Sequence, residues 1–92
     1  MRVRWTKRAA RDLTHICDYI SEHGTPAAAR HVALSIYEST LSLSQFPERG
    51  RPGRKPGTRE LIFSNSRYLA IYRLRTEAVE ILRILHGAQK WP

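Results

Sequence analysis

The sequence predicts an α+β fold of order β-α-α-β-β-β, an antiparallel helical hairpin packed on one face of a small, mainly antiparallel sheet. Three observations predict it. The chain opens on a strict two-residue alternation. Two stretches with helical spacing follow, separated only by His23-Gly24-Thr25-Pro26. The last third then holds three apolar runs joined by short polar breaks. A period of two marks a strand and a period near 3.6 an amphipathic helix.

Met1–Trp5 sets Arg2 and Arg4 against Val3 and Trp5, the pattern of a short strand with one buried face. Thr6 is placed to cap the helix that follows by accepting bonds from its free N–H groups. Along that helix Ala9, Ala10, Leu13, Ile16, Cys17 and Ile20 recur at three- and four-residue steps and form one apolar face. Asp12, Asp18 and Glu22 fall elsewhere on the wheel. His23-Gly24 is the expected end, with glycine accepting a left-handed turn.

Thr25-Pro26 starts the second helix, threonine as N-cap and proline at the first helical position. Its inner face is expected to carry Ala29, Val32, Ala33, Ile36, Thr40 and Leu43, widened by Tyr37 and Leu41. So short a connection forces an antiparallel hairpin, and the alanines let the helices approach closely. Phe46-Pro47 stops the helix. Residues 47–58 hold Pro47, Pro52 and Pro56, Gly50, Gly53 and Gly57, and the cations Arg49, Arg51, Arg54 and Lys55. Such a loop could hold a phosphate, but its glycines lack phosphate-loop spacing and no helix follows, so a solvated connection is expected. Residues 59–63, 67–75 and 78–86 read as strands, with turns at Asn65-Ser66 and Thr76-Glu77. Turns this short make neighbouring strands antiparallel.

Ninety-two residues suit one domain spanning 1–92, and 41% hydrophobic content suffices for a packed core. Sixteen Lys+Arg against eight Asp+Glu give a net charge of +8, which favours an anionic partner. Residues 1–45 carry six basic and four acidic side chains and residues 46–92 carry ten and four, so the excess lies in the second half. Most of it is arginine, the better fork for phosphates and carboxylates. The single Cys17 excludes an internal disulfide, and its place on the apolar stripe reads as packing. His15, His23 and His31 have no metal-ligand spacing, so neither metal nor cofactor is expected. Arg2, Arg4, Lys7, Arg8 and Arg11 interrupt any leader-like apolar run, and no stretch has transmembrane length. A cytoplasmic location is expected.

The order of segments is specific over nearly the whole chain. After the N-terminal strand come Ala9-Ala10-Arg11-Asp12-Leu13-Thr14-His15-Ile16 and Tyr19-Ile20, then Phe46-Pro47 with Gly50, then Pro56-Gly57-Thr58-Arg59-Glu60-Leu61. Tyr68 with Ile71-Tyr72-Arg73 and the run Val79–His86 complete it. This order resembles the ParE/RelE superfamily of toxins from bacterial type II toxin–antitoxin modules, and more closely its ParE branch. The resemblance implies a toxin neutralised by a cognate antitoxin. In the ParE branch the target is DNA gyrase, held with its cleaved DNA. The RelE branch cuts messenger RNA on the ribosome, which would make the chain a metal-independent endoribonuclease. A third reading is an inactive, binding-only relative. Fold alone does not choose among them. A homodimer or a hetero-oligomer with the antitoxin is compatible with the pattern, and no membrane partner is expected.

Cleaving RNA without a metal needs a base, an acid and cations around the phosphorane. The candidates are Arg59, Arg67, Arg73 and Arg83 as cations, and His86 and Glu60 as proton carriers, with Tyr72 a weaker third. Against this chemistry, the chain has only Lys7, Lys55 and Lys90 where the RelE type implies a lysine-rich set. Gly87–Pro92 replaces the tyrosine that branch implies near its C-terminus. A regular strand would also point Arg83 and His86 to opposite faces, unless a bulge or the strand end turns one of them. Glu60 has a structural reading too, as a cross-strand partner of its neighbour Arg59.

Binding without catalysis requires only a complementary surface. Arg73, Arg83, His86, Lys90 and Trp91 are the expected target contacts; Trp91 is either an anchor at an exposed terminus or folds back on the sheet to complete the core. Ile16, Tyr19, Ile20 and Tyr37 are the expected antitoxin contacts, an apolar shoulder for an amphipathic helix.

Overall fold

The computed structural model describes residues 1–64 and 66–92. Its elements follow in the order β1 (Arg2–Trp5), α1 (Lys7–His23), α2 (Pro26–Leu41), a 3₁₀ turn (Ser42–Ser44), β2 (Arg51–Pro52), β3 (Arg59–Ile62), β4 (Tyr68–Leu74) and β5 (Ala78–His86). Asn65, expected in the turn before β4, lies outside the described residues. Its neighbour Ser66 accepts a bond from the Tyr68 N–H through Oγ at 3.0 Å.

Both expected caps form. Thr6 Oγ1 accepts from Ala9 N at 3.1 Å and Thr25 Oγ1 from Ala28 N at 3.0 Å. Gly24 differs from expectation, for its φ of −136° is not left-handed. Glycine is needed there for space: a Cβ would sit 2.9 Å from the Ile20 carbonyl oxygen, whose bond from Gly24 N closes α1.

The strands form one mixed sheet in the order β1-β5-β4-β3-β2. β1 runs parallel to β5 and the other neighbours are antiparallel. The 47–58 segment is not wholly a connection, because Arg51↔Glu60 and Pro52↔Arg59 make it a short edge strand. Proline tolerates that place because the outer N–H of an edge strand has no ladder partner. The chain then reverses through Lys55-Pro56-Gly57-Thr58, with Thr58 N donating to Lys55 O at 3.1 Å and Gly57 at φ +81°. Proline followed by a positive-φ glycine suits that turn.

Ala9, Ile36, Leu43, Leu61, Phe63, Ala70, Tyr72, Val79, Ile81 and Ile84 form the core between helices and sheet. A smaller cluster of Leu69, Ile71 and Leu85, with Leu82 and Trp91 against it, lies apart from the first. Alternation along β4 places the two clusters on opposite faces of the sheet. Three residues expected inside are outside, two on α2 and one on α1. Tyr37 is 49% and Leu41 44% exposed, and with Leu34 at 55% they form a solvent-facing stripe on α2 that Phe46 continues at 65%. Ala10 is also exposed. The single inward stripe of α2 is narrower than the expected face, and Tyr37 and Leu41 fall beyond it.

Candidate functional site

Pairing between β4 and β5 shifts register: Ile71 faces Arg83 while Tyr72 faces Ile81, leaving Leu82 the extra residue of a bulge. The bulge precedes Arg83, and pairing is regular from Arg83 to His86, so their odd spacing along β5 is kept. Arg83 nevertheless reaches α1 through its long side chain, and His86 borders α1 in a groove. Arg83 forks onto Asp12, Nε to Oδ2 at 2.7 Å and Nη2 to Oδ1 at 3.0 Å. Asp12 Oδ2 also accepts the Ile84 N–H at 3.0 Å, sealing the β5 edge beyond the end of β1. The bond to Asp12 raises the Arg83 pKa above its ordinary value. Arg83 is thus a strap between helix and sheet, only 18% exposed, rather than an open contact for a target.

His86 stands where β5 ends. Its ring meets Tyr68 edge-on at 5.7 Å, in a groove of about 420 Å³ shared with His15, Ile16, Tyr19 and Arg67. Nδ1 accepts the Ala88 N–H at 3.1 Å, which leaves Nε2 as the nitrogen bearing the proton. Gln89 folds back, its Oε1 accepting from His86 N at 2.7 Å. Lys90 is exposed, whereas Trp91 is half-buried against Leu69, Ile71 and Leu85. Of the two expected readings Trp91 takes the second, a cover on the sheet face opposite the helices, because that face offers apolar area an indole can bury.

Apart from Arg67, which shares its groove, the other candidates do not gather around His86. Arg59 Nη1 donates to the carbonyls of Gly50 at 2.7 Å and Glu48 at 3.3 Å. The buried Tyr72 hydroxyl holds the same segment, donating to Pro47 O and accepting from Gly50 N, both at 2.8 Å. Burial first of all raises the Tyr72 pKa, which suits a structural phenol better than a proton carrier. Gly50 fits this contact only without a side chain, since a Cβ would lie 2.7 Å from the Tyr72 ring. Arg73 Nε bonds Glu80 Oε1 at 2.7 Å, and Arg4 and Arg75 approach the same carboxylate at 3.4 and 3.8 Å. The Arg73 bond, above all, holds the Glu80 pKa below the usual carboxylate range.

Glu60 is the residue sequence reasoning placed least well. It does not pair with Arg59, its neighbour on β3, because adjacent strand residues face opposite ways. It is 2% exposed and lies between two arginines of the segment expected to be solvated. Arg51 donates to Oε1 from Nε at 3.3 Å and Nη2 at 3.0 Å. Arg54 N donates to Oε2 at 3.2 Å, with Arg54 Nε 3.3 Å from the same oxygen. The signal that could have found this is the edge pairing itself, since Arg51 lies directly across from Glu60. Of the expected antitoxin contacts, Tyr19 is 58% and Tyr37 49% exposed, Ile20 is half-buried, and Ile16 packs against the core. No group of three or more metal-ligating side chains occurs among the described residues.

The chain matches the family described as "ParE toxin of type II toxin-antitoxin system, parDE" over residues 3–91. It is 44% identical over 91 residues to the Y4kP protein of Sinorhizobium fredii, covering 99% of this chain and 93% of the relative. It is 40% identical over 87 residues to "Toxin RelE2" of Caulobacter vibrioides, covering 95% and 96%. Among solved structures it resembles a chain of "Chromosomal ParDE TA system from P. aeruginosa" at TM-score 0.88 and 32% identity, covering 94% and 95%. The toxin-antitoxin complex RelBE2 from Mycobacterium tuberculosis matches at TM-score 0.65 and 31% identity, covering 96% and 92%. With its two helices on one mixed sheet, and with a match spanning all but three of its residues, this chain belongs to the ParE toxin family of type II toxin–antitoxin systems.

Proposed function

We propose that this toxin acts by binding DNA gyrase rather than by catalysis, and that a cognate antitoxin neutralises it in the cytoplasm. One observation carries the reading: the residues a nuclease would need are engaged elsewhere. Glu60 is buried between two arginines, Arg59 holds backbone carbonyls, Arg73 bonds Glu80 and Arg83 bonds Asp12. Of the expected cations and proton carriers only Arg67 stays beside His86. With Glu60 and Tyr72 engaged, His86 lacks its expected second proton carrier, which metal-free RNA cleavage requires. The net charge of +8 supports the approach to an anionic nucleoprotein. Similarity to a ParDE structure supports the same branch.

The antitoxin surface is the α2 stripe Leu34, Tyr37 and Leu41, continued by Phe46, together with Tyr19 on α1. All five are exposed, and the spacing along α2 is that of a surface receiving an amphipathic helix. The solved relatives, which are toxin–antitoxin systems, support this partner.

A supercoiling and DNA-cleavage assay with purified gyrase tests the target. Cleaved plasmid or lost supercoiling, reversed by the antitoxin, is the expected result. Unaffected gyrase, with protein that is folded and toxic in cells, transfers the reading to ribosome-dependent RNA cleavage and to His86. In that case His86→Ala abolishes toxicity; under the gyrase reading it does not remove a proton carrier.

A further inference from the structure

We infer that Arg51, Arg54 and Arg67 form a built site for the phosphodiester backbone of a nucleic acid, with Glu60 as its positioning residue. The three arginines line one cleft of about 390 Å³, together with Ser66, Tyr68 and His86. Arg51 and Arg54 are in neither set of expected contacts; the inference rests on the gyrase reading and deepens it by giving the toxin its own contact with nucleic acid.

Glu60 is the observation that sets this cleft apart from ordinary surface charge. A carboxylate 2% exposed loses its water and is tolerated only when fully paired. Its two oxygens are taken up by Arg51 and by the Arg54 backbone and Nε. The guanidiniums are held from behind, yet their side chains remain 56% and 42% exposed. Among the described residues Arg51 Nη1 and both terminal nitrogens of Arg54 have no partner and remain for a ligand. Arg67 is exposed, and its guanidinium has no partner among the described residues. A fixed fork loses little conformational entropy when it closes on an anion.

The lining identifies the ligand class. With Glu60 consumed, the charged groups lining the cleft are cationic. A single carboxylate offers two oxygens in one plane and satisfies one fork. Successive phosphodiesters carry separate charges that can meet three arginines in turn. The half-buried Tyr68 ring and the exposed Ile62 in the same lining provide apolar contact for sugar or base. The other arginine group, around Glu80, lacks this build. There the carboxylate is itself accessible, and the adjoining hollow is lined by acidic Glu77 as well as by Arg2, Arg4 and Arg75.

The test is fluorescence anisotropy with the full chain, titrated onto a labelled DNA duplex and, in parallel, onto an RNA duplex of the same sequence, over a salt series. Arg67→Ala leaves Glu60 untouched, and Arg54→Lys keeps its charge partner, so neither should unfold the chain; melting curves check this. Arg8→Ala removes an equal charge from the exposed start of α1 as control. Expected is a loss of roughly three- to tenfold in affinity for Arg67→Ala, with a salt slope lower by about one phosphate contact. Arg54→Lys should weaken binding without changing net charge. An Arg8→Ala loss equal to that of Arg67→Ala overturns the site, as does binding to neither duplex. Preference for RNA, with the cleft variants still weakened, upholds the site while overturning the gyrase reading, so the two failures are separable.

Discussion

Two carboxylates of the sheet each sit among arginines, and they do different work. Glu80 on β5 serves Arg4, Arg73 and Arg75 at the β1-β5-β4 end, and Glu60 on β3 serves Arg51 and Arg54 at the β2 edge. In sequence they are equivalent, an acid in a strand with basic residues nearby. Burial separates them. Glu80 keeps 16% of its side chain exposed and is shared by three partly exposed cations, whereas Glu60 keeps 2% and also receives a backbone N–H. Near the surface, solvent screens an ion pair and limits its worth; in the interior an unpaired charge is severely penalised. The same residue pair is thus a surface adornment at one end and a structural obligation at the other.

The largest effect should come from stranding the buried charge. Removing both Arg51 and Arg54 by alanine leaves Glu60 without a cation and should lower stability by about 3–5 kcal/mol. Equilibrium unfolding in urea measures it, and a wild-type midpoint would mean that Glu60 is hydrated after all. Asp12→Ala comes next. It removes a forked partner of Arg83 and the acceptor of Ile84 N, a loss of about 1.5–3 kcal/mol. Asp12→Asn, which keeps the Ile84 bond, should recover part of it.

Tyr72→Phe sharpens the contrast between the ends. The hydroxyl joins Pro47 and Gly50 just before Arg51, so its loss should cost about 1–3 kcal/mol. Hydrogen exchange should quicken at the β2 edge while the Glu80 end stays protected. Uniform quickening would remove the regional claim. The smallest effect is expected at Glu80, where Glu80→Gln should lower stability by less than about 1 kcal/mol at neutral pH. Its folded pKa is lowered, so its contribution is fully present above the ordinary value of 4.5 and is lost as pH falls through the lowered value. Wild type and variant melting temperatures should therefore converge below pH 4.5. A gap that widens in acid would reverse the assigned sign.

The fold was legible because its signals are local. Thr6 and Thr25 cap the helices they precede, Pro26 opens α2, and the strand expected at residues 78–86 runs from Ala78 to His86. The site was legible only in part. His86 was recognised, but its groove mates His15 and Arg67 come from elements far apart in the chain. Trp91 stayed undecided between free anchor and cover because periodicity ends before it, and the apolar patch that receives it joins β4 and β5. Arg51 and Arg54 looked solvated because proline and glycine surround them, although proline is compatible with an edge strand.

By itself the sequence determined the order of elements, the family resemblance and the positive charge. These rest on neighbours three or four residues apart, on caps and turns, and on composition. Only the tertiary structure decided which arginines are free and which are spent. That depends on α1 bringing Asp12 against Arg83 of β5, and on an edge pairing that sets Arg51 across from Glu60. A charge has no fixed role in the chain; its burial and its partners, both set by packing between distant segments, give it one.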